Sequence, residues 1–336
     1  MANPSRWRQI LRHNFTSLEK LSSFLTWDAH LQDLVLTKAT FPLNLPLRLA
    51  QKIAKNTLDD PILQQFLPMK TEREQPLLNH SSLERLPLFS KDPVQDMRFA
   101  KEAKLLQKYH GRALLLVSSA CAMNCRFCFR QHFPYEREHK NFTKELLLLR
   151  ENSSIEEVIL SGGDPLSLDN ADLFALLDDL ATISHIKRIR FHTRFPLGIP
   201  ERIDEELLAY LSTYAKQLFF AIHTNHAKEF DDDIFQALHS LHKLGIPILS
   251  QTVLLHGIND QIETLVELYT TLVNHGILPY YLHQLDPIEG SHPFFVPKEH
   301  GQRLIQELQR RLSGYAVPKY VEELPGAASK TAIISL

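Results

Sequence analysis

From about residue 108 onward the chain repeats one unit: a short apolar or β-branched run, a loop, then a longer stretch with apolar residues at helical spacing. The short runs fall at residues 113–118, 157–161, 188–192, 218–223, 248–255 and 280–285. The helical stretches fall at 144–151, 171–183, 205–214, 231–244, 262–274 and 298–312. Strands separated by helices predict parallel pairing through right-handed crossovers. Six units point to an open partial (β/α)6 TIM-like barrel, an α/β fold, rather than a closed eight-stranded one. Reactive groups are then expected in the loops after the carboxyl ends of the strands.

The first hundred residues read differently. Apolar positions recur at helical spacing over 17–36 and 46–55, punctuated by Pro42, Pro46, Pro61 and Pro68, and no clear strand pattern appears. Residues 85–96, with Pro87 and Pro93, read as a connector. The expected organisation is a helical N-terminal region and connector over 1–100, the barrel over 101–313 and a C-terminal segment over 314–336. Thirty-seven basic side chains against 39 acidic ones, a net charge of −2, leave no electrostatic footprint for nucleic acid. Apolar runs such as 113–117 and 277–282 are far short of the roughly 18–20 residues that span a bilayer. Residues 1–15 carry three arginines and no apolar segment, unlike a secretory signal. The expected location is cytoplasmic, with neither nucleic acid nor membrane as a partner.

All three cysteines, Cys121, Cys125 and Cys128, stand within eight residues as C-x3-C-x2-C, directly after the first barrel strand. An odd number so closely spaced is a poor disulfide framework and reads as a ligand set in a reducing compartment. Three thiolates can hold three irons of a [4Fe–4S] cluster, leaving the fourth iron open to chelate the amino and carboxylate groups of S-adenosylmethionine (SAM). The competing readings are a zinc site completed by His132 or His110, and simple burial. Buried inert cysteines would scatter along the chain, so they explain the spacing least well.

The segment CAMNCRFC, with Phe127 as the aromatic, resembles the signature of the radical SAM superfamily. The second strand runs into Ser161-Gly162-Gly163-Asp164-Pro165. Glycines at a strand end let backbone approach a ligand, and the resemblance implies that Gly162, Gly163 and Asp164 contact SAM. His223, Gln251 and Asn259, at or beyond later strand ends, are further candidates for SAM.

At the C-terminus, Pro325-Gly326 and three small residues precede Lys330, and an apolar tail follows, as expected of a segment tucked against the body. Over about residues 85–336 the chain resembles the lysine 2,3-aminomutase family, through KYHGR, CAMNCRFCFR, LSGGDPL, TNHAKE, SQTVLLHGIND, PYYLHQLDP and PGAASK. That resemblance implies that Lys330 holds pyridoxal phosphate as an internal aldimine. It also implies that Arg130 binds the substrate carboxylate, and that Asp286 and Glu323 bind its ε-ammonium. Lys108 and Arg112, flanking the turn before the first strand, are candidates for the cofactor's phosphate. The compact N-terminal region, HQLDP and the six residues after Lys330 resemble the branch that makes (R)-β-lysine for elongation factor P.

The implied partners are L-lysine, an external electron donor such as flavodoxin or ferredoxin, and elongation factor P with its lysyl ligase. The chain departs from the catabolic members in having Ala327-Ala328-Ser329 in place of a glycine run and Glu323 in place of an aspartate. It has none of their additional zinc-binding cysteines. Two alternatives stand beside this reading. One is an aminomutase of the same family acting on another amino acid or in β-lysine catabolism. The other is a zinc-stabilised binding module.

Overall fold

The computed structural model describes residues 5–37, 41–70, 87–135 and 141–334. Its centre is a ten-stranded sheet whose order in space is the order in the chain. β1 (Ala100–Glu102) and β2 (Leu105–Leu106) form an antiparallel margin on β3 (Arg112–Ser118). Parallel pairing then runs through β4 (Glu157–Gly162), β5 (Arg188–Thr193), β6 (Gln217–His223), β7 (Ile248–Val253), β8 (Leu278–His283) and β9 (Lys319–Glu322). β10 (Thr331–Ala332) turns back antiparallel onto β9. β1 and β10 are the two edges of an open barrel.

The six helical stretches read from the sequence are helices Thr143–Glu151, Asn170–Ala181, Glu205–Ser212, Asp232–Lys243, Ile262–Asn274 and Lys298–Arg311. Local chemistry sets several of their starts. Asp169, Asp204 and Asp231 each accept a hydrogen bond from the third residue beyond, satisfying an amide that the first helical turn leaves unpaired. The stretch at 17–36 splits into Leu18–Leu25 and Ala29–Asp33 because Thr26 takes a left-handed conformation (φ 58°) and Asp28 caps a new start.

Besides the antiparallel margins β1, β2 and β10, which carry no sequence signal, the parallel strands depart from the expected ones in three places. The run 248–255 leaves the sheet after Val253, where Asn225 Oδ1 accepts from Val253 N and Asn259 Oδ1 accepts from Leu255 N. β8 starts ahead of Pro279, whose missing amide is absorbed at an irregularity between Ser250↔Pro279 and Gln251↔Tyr281. β9 is a seventh parallel strand, four residues long and charged at both ends, and therefore without an apolar run to reveal it.

One continuous core joins the N-terminal helices to the barrel, from Trp7, Leu21 and Leu49 through Leu160, Phe191 and Phe220. Trp7 meets Phe195 edge-on, with ring centroids 5.5 Å apart. Among the described residues no helix is long and apolar enough to cross a membrane.

Candidate active site

β3 delivers the chain into the cysteine loop. Cys121, Cys125 and Cys128, all reduced, line a cavity of about 300 Å³ inside the barrel. The N-terminal region clamps this loop through main-chain atoms. Asn14 Nδ2 donates to Ala122 O (2.7 Å), Asn44 O accepts from Asn124 N (3.0 Å) and Gln65 O accepts from Arg126 N (2.8 Å). Burial pushes all three thiols up, Cys128 to about 11, so an uncoordinated thiol here stays protonated. Arg194, just past β5, donates from Nη1 to Cys125 Sγ at 2.8 Å. Behind it stand Glu229 Oε2 at 3.0 Å and Gln65 Oε1 at 2.7 Å.

The turn after β4 lies against the strand end that leads to Cys121. Gly163 N donates to Ser118 O (2.7 Å) and Asp164 N to Ala120 O (2.8 Å). A Cβ on Gly162 would meet Ser118 O at 2.2 Å, and one on Gly163 would meet Ala120 O at 2.3 Å, so this approach requires both glycines. The Asp164 carboxylate faces inward as an acceptor for Leu166 N, Arg194 N, Phe195 N and Thr193 Oγ1. Burial raises its carboxyl to about 6 against these hydrogen bonds. The side chain thus ties the β4 and β5 loops together.

A chain of charges runs along the cavity. Asp96, from the connector, holds Arg130 Nε and Lys108 Nζ, each at 2.7 Å. Arg130 Nη1 also donates to Ser161 Oγ at 3.1 Å. Lys108 Nζ reaches Glu323 Oε1 at 3.3 Å, and Glu323 Oε2 receives Lys330 Nζ at 2.6 Å. Since Lys108 follows β2 and Glu323 follows β9, this ion pair bridges the two edges of the open sheet. Burial opposes ionisation of Glu323, but Lys330 and Lys108 outweigh it and hold the carboxyl below its ordinary range. Asp286 is pushed up to about 7 by burial, with Lys330 pulling it down and Glu323 adding to the rise. The hairpin β9–β10 is what carries Glu323 and Lys330 to this position.

Residues 115–269 match the Radical SAM superfamily. The chain is 38% identical over 335 residues to an L-lysine 2,3-aminomutase of Escherichia coli, covering 98% of this chain and 95% of that one. It belongs to the lysine 2,3-aminomutase family. The aminomutase is also 38% identical over 293 residues to a Buchnera aphidicola relative of the same name, covering 86% of this chain and 83% of that one. With a Clostridium subterminale relative, again named L-lysine 2,3-aminomutase, identity is 29% over 338 residues, 98% of this chain and 77% of that one. The chain is accordingly an isomerase, and its cofactors are a [4Fe–4S] cluster, SAM and pyridoxal phosphate.

The side chains present in the aminomutase fit these groups. Three thiols lining one cavity suit iron–sulfur ligation, and neither His132 nor His110, the candidates to complete a zinc site, lines that cavity. Arg112 lies over the Tyr109 ring (4.6 Å) with no carboxylate paired to it among the described residues, beside Tyr280 and Tyr281 on the cavity wall. A cation among phenol hydroxyls suits a phosphate.

The barrel wall adds His192, His223, Gln251 and His283. Burial holds all three imidazoles neutral, reinforced at His192 by Arg190 and at His283 by Lys330. Nε2 of His223 and of His283 are buried with no partner among the described residues, as expected of groups aimed at a ligand.

Of the residues read from the sequence as cofactor or substrate contacts, Asn259 alone is not brought to the cavity. Its Nδ2 donates to Asn225 O (3.0 Å) and Val253 O (2.9 Å), and its Oδ1 accepts from Leu255 N (2.8 Å), so the amide is consumed in shaping the loop after β7. Lys108 lies in the cavity engaged with two carboxylates rather than standing open toward a phosphate. Sequence reasoning missed Asp96, Arg194, Tyr109, His192 and His283. For Arg194 and the histidines a signal existed, a polar side chain at the carboxyl end of a barrel strand. For Asp96 there was none.

Proposed function

We propose that this aminomutase acts on L-lysine and forms (R)-β-lysine, with Cys121, Cys125 and Cys128 as cluster ligands and Lys330 as the residue that holds pyridoxal phosphate. The observation that carries the reading is the meeting of Lys330, Glu323, Asp286 and Arg130 with the cysteine loop in one cavity. Arg130 binds the substrate carboxylate as a planar fork, already aimed by Asp96 and Ser161. Asp286 and Glu323 receive the ε-ammonium, and two carboxylates at that end select lysine over an acidic amino acid.

Glu323 Oε2 is also the acceptor within reach of the proton that Lys330 Nζ must shed before it can act as a nucleophile. Gly162 and Gly163 let the β4 turn lie against the cysteine loop, and SAM binds beside that turn in the cavity that His223 and Gln251 also line. Arg112, Tyr109, Tyr280 and Tyr281 hold the phosphate of the second cofactor. When bound, the cluster supplies the electron that cleaves SAM, and pyridoxal phosphate supplies the conjugated ring that spreads the unpaired electron while the amine moves. The largely apolar cavity wall limits water near the radical, and the fixed charges align the substrate's two ends.

The reading extends to a cytoplasmic enzyme reduced by a flavodoxin or ferredoxin and serving elongation factor P with its lysyl ligase. The branch resemblance supports it, together with three thiols that require a reducing compartment. Anaerobic reconstitution with iron and sulfide, followed by SAM, pyridoxal phosphate, dithionite and L-lysine, tests the reaction. β-Lysine is expected from the native chain and not from Lys330→Ala. Turnover of glutamate in place of lysine would overturn the substrate assignment. Loss of the modified mass of elongation factor P on gene deletion is the expected result for the pathway.

A further inference from the structure

We infer that Arg194 sets the reduction potential of the cluster through the hydrogen bond that its Nη1 donates to Cys125 Sγ. This rests on the reading of the three cysteines as cluster ligands. Arg194 acts through Cys125 and is therefore a positioning residue, not a catalytic one. Its guanidinium is 6% exposed and lies 5.0 Å from the centre of the Phe66 ring and 5.9 Å from that of Phe127. Nη2 donates to Glu229 Oε2 at 3.0 Å and to Gln65 Oε1 at 2.7 Å. Glu229, fully buried, is itself fixed, since its Oε1 accepts from Asn225 N (3.0 Å), His226 N (3.1 Å) and Gln65 Nε2 (3.2 Å). The guanidinium is thus locked from behind, with one edge presented to sulfur.

That placement is poorly explained by structure alone. Arg194 Nε is buried with no acceptor among the described residues, while Nη1 is spent on a sulfur, a weak acceptor until it is a thiolate. A purely structural arginine would turn its donors to oxygen. Reduction of the cluster adds one electron and therefore one negative charge. A cation that also donates to a ligand sulfur stabilises the reduced state more than the oxidised one, and low local polarity strengthens the effect. Arg194 therefore raises the potential and Glu229, behind it, lowers it. Gln65 makes the N-terminal region part of the same device.

The experiment is an EPR-monitored redox titration of reconstituted full-length chain without SAM, after iron and sulfide per chain have been measured. Arg194→Gln is expected to cut the reduced-to-oxidised ratio at a fixed potential about tenfold, a downward shift of about 59 mV for a one-electron couple. Glu229→Gln is expected to shift it upward, and Arg194→Lys to lie between native and Arg194→Gln. Should Arg194→Gln fail to hold a cluster, an upward shift of Glu229→Gln together with a downward shift of Arg194→Lys from the native value decides the matter. Unmoved potentials with intact clusters, or shifts of one sign in both neutral variants, would overturn the inference. A native chain that takes up no iron and sulfide is a different result, and sinks the ligand assignment instead.

Discussion

Asp96 Oδ2 lies 2.7 Å from Arg130 Nε, and the other oxygen of that carboxylate lies 2.7 Å from Lys108 Nζ. A residue of the connector, 2% exposed, thus orients the cysteine-loop arginine and neutralises the lysine beside the barrel edge. Burial opposes its ionisation, yet Arg130 and Lys108 hold the carboxyl below its ordinary range.

Asp96→Asn keeps the shape but cannot balance two cations. Breaking a buried pair by removing one partner costs on the order of 3–5 kcal/mol, so a marked loss of stability in denaturant titration is expected. The loosened Arg130 fork should raise KM for the substrate at least about tenfold (roughly 1.4 kcal/mol) with a smaller fall in kcat. An unchanged KM would separate Arg130 from substrate binding.

Asp286 sets the expected pH dependence. Burial lifts its carboxyl to about 7, so below that pH it is neutral and offers an ammonium no charge. kcat/KM for lysine should therefore rise as pH increases through about 7, and this limb should vanish in Asp286→Asn, at much lower activity. The folded chain holds this proton more tightly than the unfolded one, where an aspartate titrates near 3.9. Its contribution to stability is therefore lost as pH rises from about 4 through about 7. Melting temperatures of both chains across that range provide the check.

Gly163→Ala would place a Cβ 2.3 Å from Ala120 O, and neither backbone segment has room to yield without moving Cys121. Iron and sulfide content after reconstitution should fall to a minor fraction of the native value. Full cluster content with normal SAM binding would count against the close approach.

Asn259→Ala removes three buried hydrogen bonds to backbone and should cost roughly 2–4 kcal/mol of stability. Its SAM affinity, measured by calorimetry below the melting transition, should stay within about twofold of native (roughly 0.4 kcal/mol). A large selective loss of SAM binding would restore the role that its position in the sequence suggested.

Much of this protein was legible without coordinates because the relevant chemistry is local. The three cysteines share one loop, the glycines share one turn, and the strand and helix runs carry their own periodicities. β9 was not legible, because two of its four residues are charged and pairing with β8, not burial of an apolar run, makes it a strand. The hydrogen bonds of Asn259 were not legible either, because a polar residue beyond a strand end looks the same whether it faces a ligand or the backbone.

By itself the sequence determined the alternation of strands and helices, the cysteine loop and the lysine near the chain's end. The tertiary structure alone decided which charges meet. Asp96 finds Arg130 across 34 residues, Arg194 finds Cys125 across 69, and Lys108 finds Glu323 across 215. The physical reason is that periodicity and ligand spacing are written in neighbouring residues. The partner of a buried charge is settled only when the whole barrel curls round and brings its two edges together.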